Sequence, residues 1–166
     1  MIRLRRAVPA DIPTLQAWDR KPHVMASGGV DEDDPTDWAW EIALDVPWWE
    51  LLIAQDAGRT ICVLRIIDPA EEETHYWGGC APNLRAIDIW IGEEADLGRG
   101  LGTEMMRLAL AHCFANPAVT AVLIDPLARN IRARKFYQRV GFVEVGPRTF
   151  GEDDCMVYRF DRPAGT

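Results

Sequence analysis

The stretch Leu97-Gly98-Arg99-Gly100-Leu101-Gly102-Thr103 constrains this chain more than any other. Its three glycines in five residues follow Ile87-Asp88-Ile89-Trp90-Ile91, which alternates like a strand. An amphipathic run from Glu104 to Ala115 comes directly after. Strand, glycine loop and helix together offer free backbone N–H groups and the positive end of a helix dipole to an anion. Glycine removes the Cβ that would hold phosphate oxygens away from that backbone. The first expectation is therefore a site for a phosphate-bearing ligand.

Two phosphate loops can be tested by their side chains. A nucleotide P-loop needs Lys followed by Ser or Thr after its last glycine; here Gly102 is followed by Thr103-Glu104. A dinucleotide fingerprint needs G-x-G-x-x-G after the first strand of the fold. Here Thr103 stands where the third glycine should be, and several strands come earlier. Neither pattern fits.

At 166 residues the chain reads as a single domain, 1–166, with one sizeable core. The net charge of −8 argues against general nucleic-acid binding, which needs a basic surface. It suits a cationic acceptor, and equally an acidic solvated surface. No apolar run approaches the roughly 20 residues of a membrane span. No apolar segment follows the charges of Met1-Ile2-Arg3-Leu4-Arg5-Arg6, so no signal peptide is read and a cytoplasmic location is expected. Cys62, Cys80, Cys113 and Cys155 show no C-x-x-C spacing, so they read as small core residues and no metal is expected.

In chain order, Ile2 and Leu4 suggest a first strand, and Pro9-Ala10-Asp11 opens a helix with Ile12, Leu15 and Trp18 on one side, ending before Pro22. Gly28-Gly29 and Asp31-Glu32-Asp33-Asp34 make a loop, and a second helix runs from about Pro35 to Leu44. Trp48–Ala54 and Thr60–Ile67 read as a hairpin, followed by a long loop, Asp68–Pro82, with Glu71-Glu72-Glu73 and His75-Tyr76-Trp77. Strand Ala86–Ile91 leads into the glycine loop. The following helix buries Met105, Met106, Ala109, Leu110, Cys113 and Phe114. Val119–Ile124 is a strand ending at Asp125-Pro126. A short helix then carries Ala133, Phe136, Tyr137 and Val140 on one stripe, with Gly141 at its C-terminus. Phe142–Val145 and Met156–Phe160 close the chain around the turn-rich Gly146–Asp154. The order β α α β β β α β α β β describes one mixed α/β (α+β) domain.

Within positions 85 to 145 several pieces stand together: Arg-Ala-Ile-Asp, Leu-Gly-Arg-Gly-Leu-Gly-Thr, Phe-x-Asn-Pro-x-Val-Thr, Asp-Pro, Asn-x-Arg-Ala and Tyr-Gln-x-x-Gly-Phe. This half of the chain resembles the GNAT superfamily of acetyl-CoA-dependent N-acetyltransferases, and is most similar to its aminoglycoside 6′-N-acetyltransferase group. The resemblance implies a GNAT-like acyl-CoA N-acyltransferase fold, a central twisted mixed sheet with helices on both faces. One departure stands out: the superfamily usually has Gln or Arg three residues before Gly100, where this chain has Leu97. The loop works chiefly through backbone donors, so pyrophosphate binding should survive the change.

The same resemblance implies roles. The backbone from Leu97 through Gly98, Arg99, Gly100, Leu101 and Gly102 to Thr103 would hold the pyrophosphate of acetyl-CoA, Arg99 adding a charge. Asn130 would contact the pantetheine arm, with Arg134 also on the coenzyme side. Tyr137 would protonate the departing thiolate, and Asp88 would receive or relay the proton of the incoming amine or simply hold it. Glu73, Tyr76 and Trp77 would line the acceptor pocket, with Asp125 at the same edge of the sheet.

The chemistry asks for such groups independently. An alkylammonium with a pKa of about 10 must lose a proton before it attacks. A carboxylate at about 3.9 is a weak base, so Asp88 needs a raised pKa or acts through water. The oxyanion wants an N–H donor, which the backbone of Ile89, Trp90 and Ile91 could supply. Each residue also has a plain alternative: Tyr137 as core, Asp125 as a turn cap, and the 71–77 stretch as a solvated loop. His23 and His75 show no partner and read as structural.

The expectation is an N-acetyltransferase with acetyl-CoA as co-substrate and no metal. It would act by direct attack of a primary amine on a small cationic, aminoglycoside-like acceptor, received by the acidic loops Asp31–Asp34 and Glu71–Glu73. Alternatives left open are another amine or hydroxylamine acceptor (a siderophore precursor, a polyamine, a protein N-terminus) and a CoA-binding regulatory module without turnover. No nucleic-acid or membrane partner is expected, and the chain is read as a monomer or homodimer.

Overall fold

The computed structural model describes residues 1–28, 31 and 33–165. Seven strands, β1 Ile2–Arg6, β2 Trp49–Asp56, β3 Arg59–Ile67, β4 Leu84–Ile91, β5 Ala121–Ile124, β6 Val143–Phe150 and β7 Asp153–Asp161, form one sheet. Its order is β1-β2-β3-β4-β5-β7-β6. Every neighbouring pair is antiparallel except β4 and β5.

That parallel junction positions everything else. It holds only the register Leu84↔Ala121, Arg85↔Val122 and Ala86↔Leu123. β4 continues to Ile91 against β3, whereas β5 stops at Ile124, before Asp125-Pro126. Proline carries no N–H for a ladder, so β5 cannot follow β4 further. From Ile87 onward one edge of β4 is unpaired with β5, and the sheet opens there.

Helices α1 Ile12–Asp19, α2 Pro22–Ala26, α3 Trp38–Ala43, α4 Leu101–Phe114 and α5 Ile131–Val140 complete the fold. Strands β2 and β3 are buried on both sides. Leu51, Ile53 and Val63 pack with Leu15, Trp18 and Trp38 of α1 and α3. Their alternates Leu52, Ala54 and Leu64 pack with Met105, Met106 and Ala109 of α4. Double coverage is why β2 and β3 read as continuous apolar runs.

Several expected boundaries move. The helix expected over Pro35–Leu44 begins only at Trp38, where the Asp37 carboxylate accepts the Trp40 N–H. Pro22 opens the extra helix α2, because proline fits a first helical turn as well as it ends one. The presumed turn-rich Gly146–Asp154 is mostly a long β6–β7 hairpin, with a register shift between Glu144 and Gly146. α4 starts at Leu101 rather than Glu104: Gly100, at φ 79°, is its N-cap, so Gly102-Thr103 lie in its first turn. Cys62, Cys113 and Cys155 are buried as expected; Cys80 is half-exposed. Gly29 and Glu32, named in the acidic loop, lie outside the described residues.

Candidate active site

A cavity of about 1250 Å³ opens where β4 leaves β5. Its walls bring together β4 residues 87–91, the glycine loop, the end of β5, the start of α5 and the loop after β3.

At the glycine-loop end, Leu97, Gly98, Gly100, Gly102 and Thr103 line the cavity. Among the described residues, the N–H groups of 98–103 find no protein acceptor; the first helical bond runs from the Glu104 N–H to the Gly100 carbonyl. Such orphan donors at a helix start are what an anion satisfies. Gly98 and Gly100 hold φ of 72° and 79°, which turns the loop, and a Cβ on Gly100 would meet open space. At Gly102 a Cβ would press the Phe136 ring at 3.3 Å, so glycine there lets α4 and α5 approach. Free donors, an open concave backbone and a helix N-terminus fit a pyrophosphate.

Arg99 and Leu101 do not line the cavity with their side chains. Arg99 pairs with Asp96 at 3.0 Å, which Arg59 also holds at 2.7 Å, and Leu101 turns into the core. Together the two guanidiniums hold the Asp96 carboxyl below its ordinary value, the Arg59 bond foremost. Arg134 corrects the expectation more clearly. Its guanidinium donates to the Tyr158 hydroxyl, the Ala128 carbonyl and Glu144, tying α5 to β6 and β7 away from the cavity. The cation that does face the glycine loop is Arg132, whose Nη2 would lie 3.5 Å from a Cβ on Gly98. Sequence reasoning passed over Arg132 although it stands in the Asn-x-Arg-Ala piece; two residues' difference turns a helical side chain to the opposite side. Asn130 lines the cavity and its side chain caps α5 by accepting the Ala133 N–H at 3.1 Å.

Where β4 parts from β5, Asp88, Ile89, Trp90, Ile91, Asp125 and Tyr137 face the same space. Burial raises the Asp88 carboxyl above its ordinary value, opposed by the charge of Arg65. Burial, with Asp88 adding repulsion, pushes Asp125 up to about 7, although it accepts a 2.6 Å bond from the Tyr76 hydroxyl. Tyr137 is buried, its phenol raised by desolvation and then by Asp88 and Asp125, so it stays protonated. Among the described residues no hydrogen bond occupies its hydroxyl.

The loop between β3 and β4 closes the remaining wall. Glu73, Tyr76 and Trp77 line it; Glu71 does not. Glu72 belongs to the loop itself: its carboxylate accepts the Thr74 and Tyr76 N–H groups and the Thr74 hydroxyl. Burial works against that charge, but these bonds hold the carboxyl below its ordinary value. Tyr76 stacks on Phe150 with centroids 4.5 Å apart, and Trp77 meets the same ring edge-on at 5.1 Å. Asp31, Asp33 and Asp34 are exposed and do not line the cavity, so the acidic wall expected from that loop is not formed by them. His23 has the partner that sequence could not show, the Ile91 carbonyl at 2.9 Å.

A strand diverging from its parallel neighbour, with a glycine-loop helix start and an acid–phenol pair in the opening, defines an acyl-CoA acetyltransferase. The acetyltransferase (GNAT) domain model matches residues 7–150, and the chain belongs to that family. It is an acetyl-CoA-dependent N-acetyltransferase. The chain is similar to aminoglycoside N(6')-acetyltransferase type 1 of Klebsiella pneumoniae, 28% identical over 89% of this chain and 77% of that protein. It is 37% identical to the kanamycin resistance protein of Rhizobium radiobacter, over 48% of this chain and 68% of that protein. The fold matches the crystal structure of aminoglycoside acetyltransferase AAC(6')-Ib in complex with coenzyme A and kanamycin at TM-score 0.86, with 24% identity, covering 98% and 95% of the two chains.

Proposed function

We propose that this chain acetylates a primary amine of an aminoglycoside-like polycationic acceptor. One observation carries the reading: Asp88, Asp125 and Tyr137 open into the same cavity as the unsatisfied N–H groups of the glycine loop. Acetyl-CoA supplies the acetyl thioester. The loop N–H groups and Arg132 hold its pyrophosphate. Asp88 takes a proton from the acceptor ammonium, and its raised pKa brings it nearer to that task than an ordinary aspartate. The β4 edge over Ile89–Ile91 offers N–H groups to the oxyanion. Tyr137 keeps its proton until the thiolate leaves and delivers it there.

Acceptor choice follows from the opposite wall. Glu73 and Asp125 offer carboxylates, and Tyr76, Trp77 and Trp90 offer flat faces, a combination that suits a cation on a ring. The names and the complex of the similar proteins above support the same acceptor class. A thiol-release assay with acetyl-CoA and a panel of kanamycin, ribostamycin, polyamines and peptide amines tests the reading. We expect saturable release with the aminoglycosides, and a fall of about 100-fold in kcat for Tyr137→Phe, the lower end for a lost general acid. Turnover confined to polyamines or peptides would reassign the acceptor; tight CoA binding with no release from any amine would leave a binding module.

A further inference from the structure

Arg65 and Asp88 are direct register partners on β3 and β4. Side chains so opposed have Cβ atoms about 5 Å apart, and opposite charges there ordinarily pair. Among the described residues these two make no ion pair. Arg65 instead turns Nε and Nη2 to both carboxylate oxygens of Glu41 on α3, the Nε bond being 2.9 Å. The indoles of Trp90, Trp38 and Trp49 surround the guanidinium at 4.6, 5.3 and 5.9 Å.

Those walls are themselves fixed. Trp38 donates its indole N–H to Asp19 at 2.6 Å, and Trp49 donates its own to the Glu41 carbonyl at 3.1 Å. The cation therefore sits in a rigid slot, clamped by Glu41 and turned from the carboxylate opposite. We propose that Glu41 is a positioning residue which, with this indole slot, sequesters Arg65 from Asp88 and so keeps Asp88 unpaired for the acceptor amine. This rests on the reading of Asp88 as the proton acceptor. A free Arg65 would take the place that the acceptor ammonium needs and hold Asp88 ionised and weakly basic.

The charges around this unit set the signs. Asp88 is faced by Arg65 from β3, Glu41 from α3, Asp125 from the end of β5, Tyr137 from α5 and Tyr76 from the loop. Arg65 is faced further by Asp19 from α1. Burial raises the Glu41 carboxyl from its ordinary value and Arg65 opposes the rise. The bidentate clamp to a guanidinium that keeps its proton makes the ion pair the form that counts. Glu41→Gln removes the clamp and a nearby negative charge, so the Asp88 midpoint falls. Arg65→Gln removes the positive charge, so it rises.

The test is a carboxyl 13C titration of aspartate-labelled enzyme, with the Asp88 signal identified by its loss in Asp88→Asn. We expect Glu41→Gln to lower that midpoint by about one pH unit, Arg65→Gln to raise it by a similar amount, and the double variant to lie between. The acid limb of the kcat/KM profile should move the same way, with KM for the acceptor rising in Glu41→Gln. If Arg65→Gln does not fold, Glu41→Gln and the double variant decide. An unmoved or raised Asp88 midpoint in Glu41→Gln overturns the proposal. Full activity of Asp88→Asn would remove the base reading instead, and the midpoints would still decide whether Glu41 withholds Arg65.

Discussion

Asp88 stands opposite Arg65 in the β3–β4 register and faces the cavity. Its alternation with Ile87 and Ile89 is legible in sequence, because a carboxylate among isoleucines must face a partner or a cleft. Which partner it has, or lacks, is not legible: Glu41 lies 24 residues from Arg65, and only the packing of α3 on β3 joins them. The same limit explains the arginines. Arg99 stands in the glycine-loop piece and Arg134 just after the Asn-x-Arg-Ala piece, but their acceptors Asp96, Tyr158 and Glu144 are fixed by tertiary contacts. We therefore expect Arg132→Gln to raise KM for acetyl-CoA several-fold with kcat kept, and Arg134→Gln to lower thermal stability with KM kept. Steady-state kinetics and a melting curve separate the two. Asp125 gives a pH signature. Its carboxyl titrates at about 7 folded against 3.8 ordinarily, so the folded state binds more protons across that window. Stability should fall as pH rises from about 4 to 7, and the fall should be shallower in Asp125→Asn. Melts at both ends of the window check it.

Among the elements, the β4–loop–α4 unit was legible because strand alternation, glycine spacing and the four-residue stripe of α4 are all local signals. Its start was not. Gly100 ends the loop in a left-handed conformation and lets the helix begin at Leu101, a choice that propensity leaves open. Gly100→Ala forces a Cβ into that conformation and should cost about 1 kcal/mol of folding stability, which a chemical-denaturation curve would show. Gly92, just beyond β4, was invisible as a packing residue. A Cβ there would fall 1.7 Å from Cε2 of Trp18, so the α1 indole lies directly on this backbone. Gly92→Ala should lose about 3 kcal/mol or more, the upper end for overpacking, and a chemical-denaturation midpoint would show it. Here too the cause is a contact across the sheet, between positions that no local pattern links.

At the scale of the whole molecule, the account turns on a sheet that stops being continuous. Residues 84–86 hold β4 to β5, Asp125-Pro126 end β5, and the gap beyond opens the cavity proposed to receive both substrates. The mixed α/β class, the strand order in the chain and the glycine loop before α4 could be read in advance. The opening itself could not, because it is an absence of pairing beyond Ala86 between two strands whose register partners Leu84 and Ala121 are far apart in the chain. The acidic chain, at −8, should also draw a polycationic acceptor, so kcat/KM for an aminoglycoside should fall as salt rises. The most direct test of the central claim compares acetyl transfer to kanamycin by the wild-type enzyme and Asp88→Asn. We expect kcat to fall about 100-fold or more, with KM for acetyl-CoA unchanged. Wild-type turnover by Asp88→Asn would contradict the assignment of Asp88 as the group that frees the amine.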